Sequence, residues 1–226
     1  MNYFLTVKRI LIPSKLIPAR KAFGQRPVAV LDVGCGNDSY ETTIAWLNVR
    51  RYDGVDKEYW LGRDEDYKKM HQVYFVDLDA PGCLAAVPER CYDVILLNHV
   101  IEHLTRGHEV IHALQEKLAP GGLLYIETPS ARTLNYPSGT GFLNFYDDPT
   151  HRRIYPPLGI AEACMAAGLR VTGYGIRRDW KRLVLLAPLA VLWNLLYALP
   201  VRRKVDARGL WDLLGVASFV VARKFS

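Results

Sequence analysis

Three side chains that can bind protons or metal ions lie within five residues of one another near the middle of the chain. If a helical turn begins at Val100, then His99, Glu102 and His103 share one face, because residues three and four apart are neighbours on a helix. Such a set suits a metal site completed by a fourth ligand. It also suits a metal-free site in which His103 moves a proton or binds substrate, or a purely structural cluster. We favour the metal-free use and leave the other two open.

A second group lies in the stretch 129–156, which is rich in Pro, Gly, Asn and Asp. Connections of this length are usually functional, so we call these residues the lid. The lid contains Asp148-Pro149-Thr150-His151, and His151 is our second candidate base because imidazole titrates near neutral pH. Arg152 and Arg153 could bind a substrate phosphate or carboxylate. In the alternative interpretation, Asp148 and His151 only cap and pin the lid.

An apolar run that ends at Val33 is followed by the glycine turn Gly34-Cys35-Gly36. Such a turn lets a ligand approach bare backbone, and open α/β sheets bind ligands at this edge. A dinucleotide fingerprint needs a third glycine, where this chain has Ser39. Asp32 and Asp38 add negative charge that would repel a pyrophosphate. The turn therefore favours a ligand with a positive amine and sulfonium.

Three further strand patterns end in polar residues that could complete a nucleoside site. The first ends at Asp56, before Lys57, and a carboxylate there can accept both ribose hydroxyls. The second ends at Asp77-Leu78, which suits an adenine amino group and its ring face. The third ends at Asn98-His99.

In order and spacing, these segments resemble the class I S-adenosylmethionine-dependent methyltransferases. The matching series is Leu31-Asp32-Val33-Gly34-Cys35-Gly36, Val55-Asp56, Asp77-Leu78, Tyr92-Asp93-Val94-Ile95 and Pro120-Gly121-Gly122, within residues 28–178. One departure is Asp38, where many members carry a third glycine. The resemblance implies S-adenosylmethionine as cofactor, with binding residues Asp32, Gly34, Cys35, Gly36, Asp56, Lys57, Asp77, Leu78, Asn98 and His99.

Two shorter resemblances concern the methyl acceptor. Glu102-His103 is similar to the Glu-x-x-Glu-His pattern of ubiquinone-biosynthesis O-methyltransferases and small-RNA 3′-end methyltransferases. His99 replaces the first Glu, which weakens a magnesium site because magnesium prefers oxygen ligands. The run from Asp148 to His151 resembles methyltransferases of bacterial cell-surface glycan and O-antigen biosynthesis.

From these resemblances we predict O-methylation of a sugar or lipid-linked glycan, with His103 or His151 as catalytic base. A quinone or other lipophilic phenol is the alternative acceptor, and a non-catalytic cofactor-binding protein is a third possibility. Nucleic acid is not favoured as a partner, because the basic residues flank apolar segments and no RNA-binding module is visible.

The alternation of apolar runs and helix-period segments predicts an α/β fold. We expect a Rossmann-like, seven-stranded, mostly parallel sheet with helices on both faces. The predicted strands are 28–33, 52–55, 73–76, 92–98, 122–128, 169–176 and 216–224. The predicted helices are 40–49, 108–118 and 157–167.

The two ends of the chain are basic and the middle is acidic. Residues 1–26 hold six basic residues and no acid, and residues 177–226 have a net charge of +7. Because the whole chain carries +6, residues 27–176 carry −7. We predict a basic arm at 1–27, which docks on the domain or lies on an anionic membrane, and a cofactor-binding core at 28–178.

An apolar insertion is predicted at 179–212, before a final strand at 213–226. Its segment 183–201 has no charge and is flanked by Arg and Lys. A single membrane crossing would separate the final strand from its sheet, so we predict contact with a membrane surface. Packing on the sheet or at a dimer interface is the alternative.

Four cysteines without Cys-x-x-Cys spacing predict reduced thiols. The apolar residues of the N-terminus are interrupted by Lys8-Arg9, Pro13 and Lys15, unlike a signal peptide. We therefore expect a cytoplasmic protein that rests peripherally on the inner face of the membrane.

Overall fold

Seven strands form one sheet in the order β3-β2-β1-β4-β5-β7-β6. In chain order, β1 to β7 are Val28–Val33, Val49–Asp56, Gln72–Phe75, Tyr92–Asn98, Leu118–Pro129, Arg170–Ile176 and Ala217–Arg223. All pairings are parallel except those of β7, which is antiparallel to β5 and β6. The computed structural model describes residues 12–36, 39–58, 64–138, 144–180, 183–184, 187–189, 191–192 and 211–225. The predicted fold class is confirmed.

Helices cover both faces of the sheet. In chain order, α1 to α6 are Ile17–Phe23, Ser39–Ile44, Asp64–Lys69, Gly107–Lys117, Pro157–Ala166 and Trp211–Leu214. On one face, Leu31 of β1 belongs to the same buried cluster as Leu114 of α4 and Ile160 of α5. On the other face, Val30 shares a cluster with Leu16, just before α1. Strand β1 is therefore buried on both sides, which explains its continuous apolar sequence.

Several predicted boundaries differ from those in the structure. The helix predicted over 40–49 ends at Ile44, because the chain must turn before β2 begins at Val49, opposite Val28. Strand β5 starts at Leu118 instead of 122, since Leu118 already pairs with Tyr92. The C-terminal strand starts at Ala217, after the short helix α6.

The described part of the N-terminal arm packs on the domain. Leu16 and Ala19 are fully buried, and Lys15 donates to Ser39 Oγ at 2.9 Å. In the insertion, Trp180 and Val184 are exposed. Among the described residues, no helix combines the length and apolar character needed to cross a bilayer. Residues 1–11, Asp38 and most of 183–201 lie outside the described residues, with the predictions made for them.

Candidate functional site

The glycine turn after β1 brings exposed backbone to the carboxyl edge of the sheet. Gly34 adopts a φ of +78°, a conformation that favours glycine, and a Cβ there would collide with the side chain of Val100. The N–H groups of Gly34 and Cys35 both donate to Val55 O, at 2.8 and 3.3 Å. The turn is thus fixed by β2 while Gly34 stays open to a ligand.

Two predicted cofactor residues beside this turn have buried side chains. The Asp32 carboxylate accepts a hydrogen bond from the Tyr52 hydroxyl at 2.5 Å and is 1% exposed. The Cys35 side chain lies in the hydrophobic core, where burial first and Asp32 second raise the pKa of its thiol. These side chains support the turn from inside the protein.

The ends of β2 and β3 place the predicted nucleoside residues near one another. Lys57 Nζ lies 3.3 Å from Asp77 Oδ2, and the Asp79 N–H donates to Asp77 Oδ1 at 3.0 Å. These two partners hold the pKa of Asp77 below its usual range. Asp56 ends β2 and accepts from the Lys57 N–H at 2.8 Å, while Leu78 is largely buried.

Asn98 ends β4 at the point where the strand order reverses between β1 and β4. Both polar atoms of its amide are buried and have no hydrogen-bond partner among the described residues. A buried polar group without a partner costs roughly 1–3 kcal/mol, so a water, an ion or a bound ligand would be expected to complete it. Ligands of open α/β sheets bind at this reversal point.

His99 lies between two glutamates. Its Nδ1 is 3.2 Å from Glu102 Oε1, its Nε2 is 3.3 Å from Glu127 Oε1, and its φ is +52°. Burial lowers the pKa of His99, but the two carboxylates raise it by more than burial lowers it, so the pKa is about 9. The imidazole is therefore a cation at neutral pH that joins the ends of β4 and β5. Both ring nitrogens are engaged in these contacts.

Glu102 connects the sheet to the lid and is fully buried. Its Oε2 accepts from the Thr128 hydroxyl at 3.1 Å, and its Oε1 faces His99. Its backbone oxygen accepts from the N–H groups of Arg152 and Arg153, at 2.9 and 3.2 Å. The lid is thus attached at the position that follows β4.

The two candidate bases come together although they are 48 residues apart in the numbering. The rings of His103 and His151 have centroids 4.8 Å apart and are tilted by 51°. His151 Nδ1 lies 2.7 Å from Phe145 O, and the rings of His151 and Phe145 stack at 4.6 Å. A carbonyl can only accept, so Nδ1 of His151 donates, and its Nε2 lies 3.9 Å from Asp148 Oδ2.

The predicted metal trio of His99, Glu102 and His103 is divided by the structure. His99 contacts the two glutamates, whereas His103 turns to the lid. Ligand atoms of Glu102, His103 and His151 do lie within 4.8 Å of one another. Among the described residues, no fourth His, Cys, Asp or Glu joins this group, and both carboxylate oxygens of Glu102 already accept hydrogen bonds. We therefore continue to favour the metal-free use.

Asp79 is a structural partner of the lid that the sequence did not reveal. It accepts from Thr105 and Arg106 just before α4, and Arg152 Nη1 lies 3.2 Å from its Oδ2. Arg153 places its guanidinium 5.2 Å from the centre of the Tyr155 ring. Both arginines thus have contacts within the protein, beside the substrate-binding role predicted for them.

A buried ion cluster links the site to the C-terminal part of the chain. Arg177 Nε lies 3.3 Å from Glu127 Oε1, and Arg177 Nη1 lies 3.5 Å from Asp212 Oδ1. Burial raises the pKa of Glu127, but Arg177 and His99 outweigh that effect and lower it to about 2. The cluster fixes α6 near the end of β5, where Ser130 Oγ also donates to Gly215 O at 2.7 Å.

Known proteins resemble this chain in sequence and in fold. Ubiquinone biosynthesis O-methyltransferase of Azotobacter vinelandii is 26% identical over 150 residues, which are 63% of this chain and 64% of that protein. The protein of the same name from Paraburkholderia phytofirmans is 26% identical over 109 residues, 47% of each chain. The chain thus matches about half to two thirds of the length of these relatives.

A crystal structure of a SAM-dependent methyltransferase from Archaeoglobus fulgidus superposes with a TM-score of 0.58 at 20% identity. The match covers 99% of this chain and 100% of that one. At this identity the likeness concerns the fold. The family described as methyltransferase domain matches residues 8–173 of the sequence. The chain therefore belongs to the methyltransferase domain family.

Proposed function

We propose that the carboxyl ends of β1 to β4 hold the cofactor as the sequence predicts. The exposed Gly34 backbone and the Asn98 amide would receive its amino-acid end, beside Gly36. Asp56 and Lys57 would bind the ribose, and Asp77 with Leu78 the adenine. The observation that supports this fit is the buried Asn98 amide, which needs an external donor and acceptor. His99 would contribute its positive charge without a direct hydrogen bond to the cofactor, because its ring nitrogens face Glu102 and Glu127.

We further propose that the enzyme methylates oxygen and that His103 takes the acceptor's proton. The observation that carries this proposal is the pair of imidazoles formed by His103 and His151 where the lid meets the end of β4. When bound, S-adenosylmethionine would supply a sulfonium methyl group to the acceptor oxygen. A hydroxyl acceptor must lose a proton in this step, and a positioned imidazole can accept it.

For the acceptor we propose a lipophilic hydroxyl compound, with a phenol as the first candidate. The curated relatives act, by name, in ubiquinone biosynthesis, which supports a phenol. An open apolar groove of about 520 Å³ supports a lipophilic acceptor, and it is lined by Leu183, Ala187, Pro188, Val191, Leu192 and Leu213. A lipid-linked sugar is the second candidate, supported by the resemblance of the run from Asp148 to His151.

Transfer of a labelled methyl group from S-adenosylmethionine tests the acceptor. The full chain is incubated with a prenylated catechol, with a lipid-linked oligosaccharide fraction, or with detergent alone. We expect label on a catechol oxygen. Label on the sugar fraction alone would select the second candidate, and no transfer to any oxygen acceptor would refute O-methylation.

The cofactor assignment has a separate test. Asp56→Ala should abolish S-adenosylmethionine binding in calorimetry, because the ribose hydroxyls lose their acceptor. Unchanged binding would remove Asp56 from the site. Asp66→Ala, a change of the same residue type on α3, is the matched control.

We also propose that the insertion contacts an anionic membrane surface. Trp180, Val184 and Leu192 are exposed apolar side chains beside basic stretches of the sequence. In vesicle flotation with anionic lipid, Val184→Glu combined with Leu192→Glu should reduce the bound fraction. Leu158→Glu, at an exposed position of α5, should not. Equal flotation of the two variants would contradict this proposal.

A further inference from the structure

The Thr150 hydroxyl contacts two groups but has one proton to donate. Its Oγ1 lies 2.6 Å from Asp148 Oδ1 and 3.0 Å from His103 Nδ1. Burial raises the pKa of Asp148, but the two hydrogen bonds from Thr150 and the electrostatic attraction of His151 and His103 lower it below its usual range. The ionised carboxylate can only accept, so the Thr150 proton points to Asp148.

This assignment fixes the tautomer of His103. Because the Thr150 oxygen has given its proton to Asp148, it must accept from His103, whose Nδ1 therefore carries a hydrogen. In the neutral ring, Nε2 then has the lone pair. The nitrogen that takes a proton is thereby determined by two lid residues that are 45 and 47 positions further along the chain.

Further contacts of Thr150 and His151 support this arrangement. The Thr150 N–H also donates to Asp148 Oδ1 at 2.8 Å, so a local turn holds the two side chains together. His151 donates a hydrogen bond to Phe145 O, and its ring contacts the His103 ring. Rotation of the His103 ring would break its bond to Thr150 and press it against His151.

We propose that Asp148 and Thr150 are positioning residues that orient His103 as the base of the methyl transfer. This proposal rests on the O-methylation proposed above and extends it, since the sequence offered only a capping role for Asp148. As the acceptor oxygen bonds to the methyl carbon, its proton passes to Nε2 of His103. The electron pair of the broken carbon–sulfur bond stays on sulfur. The imidazolium then returns its proton to water.

We call the hydrogen-bonded chain from Asp148 through Thr150 to His103 the relay. Three lid variants test it in the full-length enzyme, with the acceptor that supports turnover. Thr150→Val removes the hydroxyl at nearly the same volume, and we expect kcat to fall about 10- to 100-fold, within the range of a proton-transfer contribution. Asp148→Asn should lower kcat as well. Thr150→Ser keeps the hydroxyl and should stay within a few-fold of the wild type. The KM for S-adenosylmethionine should not change in any of them.

Several results would overturn the relay. They are a Thr150→Val variant as active as wild type, a Thr150→Ser variant as damaged as Thr150→Val, or a loss confined to KM. If His103→Gln also keeps full activity, the proposed base itself is wrong. Loss of wild-type activity with a chelator and its recovery with Mn²⁺ would make the imidazoles metal ligands and refute the relay.

A measurement that needs no acceptor keeps the relay testable if an activity assay fails. Long-range ¹H–¹⁵N NMR of the wild-type enzyme reports which nitrogen of neutral His103 carries the hydrogen. We expect hydrogen on Nδ1 in the wild type and a mixture of tautomers in Thr150→Val. Hydrogen on Nε2 in the wild type would overturn the proposal, whatever the methyl acceptor is.

Discussion

The base of the sheet and its carboxyl edge both bury polar groups, but these groups have different surroundings. At the base, which we define by Asp53, Asp93 and their partners, acids are surrounded by donors. Asp53 accepts from Arg51 and from the Tyr92 hydroxyl, at 2.7 and 2.5 Å, and faces His71 at 3.0 Å. Asp93 accepts from Arg26, Arg50 and a backbone N–H, at 2.9, 3.2 and 2.8 Å.

The carboxyl edge has some acids satisfied in the same way and some polar atoms left without partners. Glu102 and Glu127 are paired, as at the base. The Asn98 amide has no partner among the described residues, and the tautomer derived for His103 leaves a lone pair on its Nε2. A satisfied network stabilises the fold, whereas an unsatisfied one costs stability unless a ligand completes it. The comparison therefore separates residues that stabilise the fold from residues whose polar atoms are available to bind a ligand.

The strongest test of this separation is His103→Gln. We expect kcat to fall about 10²- to 10⁴-fold, because a general base contributes that much, while the urea midpoint stays unchanged. His112→Gln, at an exposed position of α4, is the matched control and should alter neither quantity. A lower urea midpoint would show that His103 supports the fold.

The reverse pattern is expected at the base of the sheet. Asp53→Ala leaves the buried Tyr92 hydroxyl and Arg51 without their acceptor, which should lower the free energy of unfolding by about 3 kcal/mol. The turnover of the folded enzyme at low temperature should remain. Urea unfolding and the methyl-transfer assay measure the two quantities. In the control Glu65→Ala, which breaks an exposed ion pair with Lys68, no loss of stability is expected.

Asn98→Ala should separate affinity from stability. Loss of hydrogen bonds to a charged cofactor group should weaken S-adenosylmethionine binding about 10-fold in calorimetry. The unfolding free energy of the cofactor-free protein should not fall, since the removed amide had no partner. A clear loss of stability with unchanged affinity would show that Asn98 belongs with Asp53 and Asp93.

We also expect a pH dependence of stability caused by His99 and Glu127. His99 has a pKa of about 9 instead of 6.5, so its stabilising contribution is complete below pH 6.5 and is lost as pH rises through 9. Glu127 has a pKa of about 2 instead of 4.5, so its contribution is complete above pH 4.5 and is lost as pH falls towards 2. In urea unfolding, the difference between wild type and His99→Gln should therefore be largest below pH 6.5 and shrink towards pH 9. A constant difference would contradict the raised pKa.

Sequence patterns predicted the strand ends and the turn at which we propose the cofactor site. The run into Gly34 and the acids at Asp56 and Asp77 are local features, because strand and turn preferences act over a few residues. The seven-stranded sheet followed from repeating such patterns. What the sequence could not show is how the strand ends meet.

The pairs that define the chemistry depend on register and tertiary packing. Tyr52 reaches Asp32 because β1 and β2 are adjacent, and Glu127 reaches His99 because β5 lies beside β4. Nothing in the spacing of these residues signals such contacts. His99 was therefore assigned to the cofactor or to a metal, while the structure gives it two carboxylate partners.

The attachment of the lid to Glu102 has a consequence for evolution. Both hydrogen bonds run from the backbone of residues 152 and 153 to a backbone oxygen, so they do not depend on the side chains at these positions. Nineteen residue types can preserve them, and only proline, which lacks an N–H, would remove one. Selection for a new acceptor can thus vary these two side chains without losing the anchor that keeps the neighbouring histidine in place.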